Sequence, residues 1–193
     1  MLYTMNYILH IKNLVCPQCI KTVERILAQN KCVIKKIEWE KAAFHCTSTN
    51  LNLEMVSKEL NDSGFKLLFD TKEIVAEQIK LFFIHHIYLD DKNLVLDDVQ
   101  YILSANQHRN YKKLDALFKY INGYSIFMYI EKLRFERAKE LVSYQELSID
   151  TIARKLGYSC LSDLKKCFIK VLHRSMDEFL KAPHRYRISL DQI

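Results

Sequence analysis

At Asp70 the hydrophobic pattern of this chain changes period. Before it, apolar residues recur at intervals of two in some stretches and of three or four in others; after it, only the helical interval persists. The change separates a mixed front part from an all-helical remainder, and 193 residues suffice for one or two domains with cores of their own. Only three glycines and two prolines are present, too few for a turn-rich β architecture.

In the front part "YILHI" reads as a strand and Pro17 to Gln29 as a helix. Ile20, Val23, Ile26 and Leu27 form its apolar face, with Pro17 at the first helical position. "VIKKIEW" reads as a half-buried strand with Val33, Ile37 and Trp39 inward, and a tight turn at Glu40 and Lys41 leads to a strand in "KAAFHCT". A second helix over 52–62 turns Leu53, Val56 and Leu60 inward; Gly64 caps it, and "FKLLF" is the last strand. The order βαββαβ predicts an α+β, ferredoxin-like split βαβ unit with helices over one sheet face.

Beyond Asp70, "EIVAEQIKLFFIHHIYL" predicts a connecting helix with Ile74, Ile79, Phe82, Phe83 and Ile87 on its apolar side. His85 and His86 are neighbours on it, which predicts one buried and one exposed ring rather than joint ligands. "DDKNLVLDD" is an acidic break, followed by helices near 97–105, 111–121, 125–143, 149–156, 160–171 and 175–181. A doubling is visible: short helix, turn and basic helix around 97–121, and again around 149–171. The long helix between them carries Ile126, Ile130, Leu133, Arg137, Leu141 and Val142 at helical spacing, with charges expected opposite. The eleven tyrosines and ten phenylalanines fall at helical spacing and read as core. The expected division is 1–70, a connecting helix 71–90, and a helical domain 91–187.

Net charge is +6, unevenly placed: residues 105–193 hold seventeen lysines and arginines against ten acids, while 71–104 is acidic. A basic helical half suits a polyanion, although a solvated basic surface looks the same. No apolar run reaches bilayer length, and the first residues lack a signal-peptide pattern, so the expectation is a cytosolic protein without a membrane partner. In that compartment six cysteines do not imply disulfides; Cys32, Cys46, Cys160 and Cys167 read as small buried hydrophobes.

Cys16 and Cys19 are different, being a CxxC pair where strand gives way to helix. Unpaired N–H groups and partial positive charge at a helix N-terminus favour thiolate. Two thiolates at this spacing suit a two-coordinate soft ion such as Cu(I), or half of a tetrahedral Zn(II) site. Residues 6–69, with Cys16, Cys19, Val23 and "SGF" at 63–65, resemble the heavy-metal-associated domain, the ferredoxin-like module of copper chaperones and metal-pumping ATPases. Asn13 and Leu14 stand where that family has Gly and Met, and Leu14 fits the Met's buried role. Cys-Pro-x-Cys also occurs in glutaredoxin-like proteins, but that fold needs a second proline facing the thiols, and the other proline is the distant Pro183. A packing or dimerising module that leaves the thiols unused stays open.

"YIEKLRFERAKELV" followed by "LSIDTIARKLGYS" resembles the C-terminal DNA-binding domain of the AraC/XylS family of bacterial transcriptional regulators, over roughly 91–181. Tyr129, Ile130, Leu133, Arg134, Glu136, Arg137, Ala138 and Leu141 match the family's linker helix. Ile149, Ile152, Ala153, Gly157, Tyr158, Ser159 and Phe168 match its second helix-turn-helix, and Leu114, Phe118, Gly123 and Ser125 fit the first. Nineteen helical residues span about 28 Å, near the roughly 34 Å between successive major grooves on one face of DNA. The resemblance implies two helix-turn-helix units reading double-stranded DNA. Leu161, Ser162, Asp163 and Lys166 would face base edges, with Lys165 and Lys170 near phosphate; Lys112, Lys113, Asp115 and Ala116 hold the equivalent places in the first unit. Departures are His108 and His173 at usual Gly positions, Met176 at a usual Pro, and Leu164 where an aromatic is common.

Together the resemblances imply a non-enzymatic transcriptional regulator, metal-responsive through Cys16 and Cys19. The alternatives are a metal-trafficking protein, or a constitutive regulator whose front domain only mediates interaction. A homodimer stays open, since one chain already carries two reading heads.

Overall fold

In the computed structural model, residues 4–89 and 99–193 are described. The chain forms two compact units, Met1–Phe82 and Phe83–Ile193.

The first unit holds a four-stranded antiparallel sheet in the order β2-β3-β1-β4: β1 Met5–Lys12, β2 Val33–Glu38, β3 Ala43–Ser48, β4 Lys66–Leu68. Helices α1 Pro17–Gln29 and α2 Leu53–Asp62 connect the strands. Alternation along β1 buries Leu9 and Ile11, which pair across the sheet with Phe44 and Leu67. Val23, Ile26 and Leu27 of α1 and Val56 and Leu60 of α2 complete this core. Asn52 caps α2, and α2 ends with Gly64 at φ +84, where the Phe65 N–H returns to the Leu60 carbonyl.

Three details depart from the expected pattern. The β2–β3 register slips between Ile34 and Lys36, so one extra residue of β2 faces β3. The bulge shifts the phase: Ile34 and Ile37 are half-buried, while Val33 is 56% exposed. Trp39 lies not in the strand but in a 3₁₀ turn, Trp39–Lys41, closed by Ala42 at φ +53. Leu53 opens α2 and is exposed instead of facing inward.

The next helix, α3 (Thr71–Ile84), runs into a π-helical turn at His85–Leu89. It is not a helix with one apolar stripe. Val75, Ala76, Glu77, Ile79, Leu81, Phe83 and Ile84 are all buried, whereas Ile74 and Phe82 are half-buried. His85 and His86, in the π-helical turn, are both half-buried rather than one buried and one exposed. The expected acidic break and the expected start of the following helix at 97–98 lie outside the described residues.

The second unit is helical: α4 Val99–Gln107, α5 Tyr111–Asn122, α6 Ile126–Tyr144, α7 Ile149–Lys155, α8 Leu161–Leu172, α9 Met176–Leu180. Its core runs through Leu103, Leu114, Phe118, Tyr129, Leu133, Ile152, Leu164, Phe168 and Phe179. Phe118 packs on Tyr129 (5.5 Å between centroids), and Phe168 packs edge-on to Phe135 and Phe179 (5.1 and 5.2 Å).

Of the charges expected opposite the apolar residues of α6, three are buried. Arg134, Glu136 and Lys139 are 3%, 3% and 2% exposed, because α6 is the central element of this unit, with neighbours on several sides. Arg134 Nε donates to the Leu156 carbonyl (2.7 Å), its side chain pairs with Glu131, and its guanidinium lies over the Tyr158 ring. Glu136 pairs with Lys139 and with Arg187, and accepts the Ile188 N–H (3.1 Å). Lys139 donates to the Tyr186 carbonyl. These charges fasten the turn after α7 and the residues after α9 to the central helix. Leu141 and Arg137 are half-buried, with Arg137 over the Tyr88 ring. Among the described residues, no helix is long and apolar enough to cross a membrane.

Candidate functional site

Two arrangements hold the residues singled out from the sequence. The first is the thiol loop. Cys16 is the N-cap of α1, in extended conformation, with Pro17 at the first helical position. Its sulfur accepts the Cys19 N–H (3.4 Å), and the two sulfurs stand 2.9 Å apart as free thiols, both half-buried. Burial first, then the neighbouring Cys16, pushes the Cys19 thiol up to about 11. At Cys19 desolvation therefore outweighs the backbone N–H groups of the helix start, which would favour a thiolate.

The strand-to-loop passage is tied from three sides. Asn13 sits in the left-handed region (φ +72), its N–H donates to Glu77 of α3 (2.7 Å), and its side-chain amide donates to the Gly64 carbonyl (2.9 Å). Leu14 is fully buried, as expected of it, and the Trp39 indole N–H donates to its carbonyl. Glu77 is 4% exposed; burial pushes its carboxyl up, against the pull of the Asn13 bond and of Lys80 and Lys12. The acid inside "EIVAEQIKLFF" was its only trace in the sequence. Among the described residues no group of three or more His, Cys, Asp or Glu is placed to hold a metal ion. Two sulfurs match the ligand number of a two-coordinate soft ion or half of a tetrahedral site, and at 2.9 Å they would have to part to admit an ion between them.

Cys32 and Cys46 are buried as expected, but they also face each other; burial and this proximity push Cys46 up to about 12. Cys160 and Cys167 depart from the expectation: one is exposed and the other half-buried.

The second arrangement is an internal repeat. Leu114, Phe118, Gly123, Ser125 and Tyr129 recur as Leu164, Phe168, His173, Ser175 and Phe179, each fifty positions on. In both copies a short helix ends at a left-handed residue, His108 (φ +49) or Gly157 (φ +71). A twelve-residue helix follows, α5 or α8. It ends at another left-handed residue, Gly123 (φ +82) or His173 (φ +54), whose N–H returns to Lys119 or Ile169. A serine two residues later caps the next helix through its side chain. The histidines at the usual glycine positions thus keep the glycine conformation.

In each twelve-residue helix two residues a turn apart are buried, Leu114 and Phe118 or Leu164 and Phe168, so the opposite face is open. Lys112, Lys113 and Ala116 are exposed on α5, and Ser162, Lys165, Lys166 and Lys170 on α8; Leu161 is half-buried. The acids are engaged. Asp115 accepts the Ile126 N–H (2.8 Å), capping α6, and Asp163 pairs with Lys166 (3.2 Å). Lys166 and the Cys160 thiol hold the Asp163 carboxyl below its ordinary value. Arg109 and Asn110, both exposed, precede α5, and the exposed thiol of Cys160 stands at the N-cap of α8, 3.0 Å from the Ser162 hydroxyl. The repeat itself was their signal, since Asn110 and Cys160 occupy equivalent places.

No match is found among curated proteins or among solved structures. Residues 103–182, from the middle of α4 to just past α9, match the family model for a helix-turn-helix domain, and this match supports an AraC-type DNA-binding transcription regulator.

Proposed function

We propose that the chain is a sequence-specific regulator in which α5 and α8 enter successive major grooves of double-stranded DNA and α6 sets their separation. The observation that carries this reading is the fifty-residue repeat of two open, lysine-bearing helices on either side of one buried helix. Lys165 and Lys170 neutralise phosphates; Leu161, Ser162, Asp163 and Lys166 face base edges, and Lys112, Lys113 and Ala116 hold the equivalent places in the first unit. Asp115 enters this reading by fixing the start of α6. The proposed division is 1–70, connecting helix 71–90 and DNA reader 91–187. The test is selection of duplexes from a random pool, then anisotropy titration across salt. Log affinity should fall linearly with log salt, and Lys165→Ala or Lys170→Ala should each flatten the slope by about one. A slope unmoved by both would refute the phosphate assignments.

The front unit is read as a heavy-metal-associated-like sensor. Its strand order, the CxxC at the start of α1 and the buried Leu14 favour this. Cys16 and Cys19 would hold Cu(I), or share Zn(II) with further ligands, and the ion would supply a fixed positive charge in place of thiol protons. The bond from Asn13 to Glu77 ties the loop to α3, the helix that leads toward the reader. A useful coupling between ion and DNA would be about 1–3 kcal/mol. DNA affinity measured with and without Cu(I), against Cys16→Ser/Cys19→Ser, tests it; equal affinities throughout remove the sensor and leave a constitutive regulator.

A further inference from the structure

The second unit contains a cavity of about 630 Å³ that the DNA reading does not use. One face of α6, the C-terminal half of α8 and the residues from Tyr186 to Ile193 wall it. The volume lies within the roughly 300–1,000 Å³ of small-molecule sites. Its lining is mainly apolar. Phe127, Met128, Val171 and Ile188 border it while remaining 56%, 52%, 55% and 49% exposed, so each leaves apolar surface in water that an occupant would cover.

The charges around it are unequal. Of the lining acids, Glu131 is paired with Arg134, and Glu136 with Lys139 and Arg187. The main-chain oxygen of Ile193 accepts from the Tyr124 hydroxyl. Lys132 and Lys170 also border the cavity, both exposed, and neither has a carboxylate partner among the described residues; Lys132 rests over the Tyr124 ring. An apolar hollow with two uncompensated ammonium groups at its mouth is complementary to one kind of molecule. We propose that this cavity binds an amphiphilic organic anion, an apolar body carrying a single carboxylate or sulfonate, with the anion held by Lys132 and Lys170.

The binding stands apart from the regulator reading, but it has a consequence there. Two of its walls are the proposed spacer and a proposed reading helix, and Lys170 is also a proposed phosphate contact. An occupant would draw Lys170 away from DNA.

The test titrates the full chain with 8-anilinonaphthalene-1-sulfonate and with N-phenyl-1-naphthylamine, which has the same ring system without the charge. One saturable sulfonate site per chain is expected, about tenfold or more tighter than the neutral probe. Decanoate should displace the sulfonate and decylammonium should not. Lys132→Gln/Lys170→Gln should abolish the preference for the anion while leaving neutral-probe binding in place. Met128→Trp, filling the hollow from its exposed side, should weaken both probes, with far-UV circular dichroism confirming the fold of each variant. Equal affinity for the two probes in the parent chain, sulfonate binding untouched by Met128→Trp, or no saturable binding of either probe would each overturn the proposal; the last would leave the hollow to a polypeptide partner.

Discussion

At the scale of single residues the most informative positions are the left-handed ones. Gly123 and His173 occupy equivalent places in the repeat with φ of +82 and +54. A side chain at such a φ costs about 1–2 kcal/mol relative to glycine, less where the residue tolerates the region. His173→Gly should therefore raise the urea-unfolding free energy by about 1 kcal/mol, and Gly123→Ala should lower it by a similar amount. A Cβ at Gly123 would meet nothing within 4 Å, so the loss would be conformational and not steric. Glu77 offers a second test. Its folded-state pKa lies above the ordinary 4.5 because it is buried, so the native state holds that proton longer than the unfolded chain. Its contribution is complete below about pH 4.5 and declines as pH rises toward the folded value. Glu77→Gln keeps an acceptor for the Asn13 N–H and removes the charge. The variant should gain stability relative to the parent as pH rises from 4 to 7, and a constant difference across that range would refute the assignment. In the proposed sensor, Cys19, whose thiol burial pushes up to about 11, would give up its proton to the ion, so the apparent affinity for Cu(I) should rise with pH.

At the scale of elements, α6 is the piece on which the second unit depends. Arg134 joins it to the turn after α7, and Glu136 and Lys139 join it to residues 186–188. Removing one partner of a buried charge set leaves the other uncompensated, so Glu136→Ala should cost about 3–5 kcal/mol by chemical denaturation. Asp115→Ala, which removes only a cap, should cost about 1 kcal/mol. The same helix shows where the sequence was and was not legible. Its length and position followed from apolar spacing, as did the βαββαβ order of the front unit. Its burial on nearly every side did not, because Arg134, Glu136 and Lys139 look like a solvated face until partners 22 to 52 positions away are brought to them. The bulge in β2 was hidden for a similar reason: one extra unpaired residue inverts the pattern of Val33, Ile34 and Ile37 without altering composition. The open faces of α5 and α8 were readable from Leu114, Phe118, Leu164 and Phe168. The capping role of Asp115 was not, since it depends on where α6 begins, eleven residues on.

At the scale of the whole chain, a unit with a small antiparallel sheet and two adjacent thiols precedes a helical unit with an internal repeat that matches a helix-turn-helix domain. The repeat gives the second unit a geometric property that a single reading head lacks. In the proposed reading, two helices held by one spacer of nineteen residues, about 28 Å long, would engage only half-sites about one helical turn apart. The most direct test takes a duplex selected by the full chain and inserts about five base pairs, half a turn, between its two half-sites. The account predicts that affinity falls by about tenfold or more, since one head must lose its contacts with bases and phosphates when the half-sites turn to opposite faces. Affinity indifferent to that insertion, or no duplex enriched at all, would contradict it.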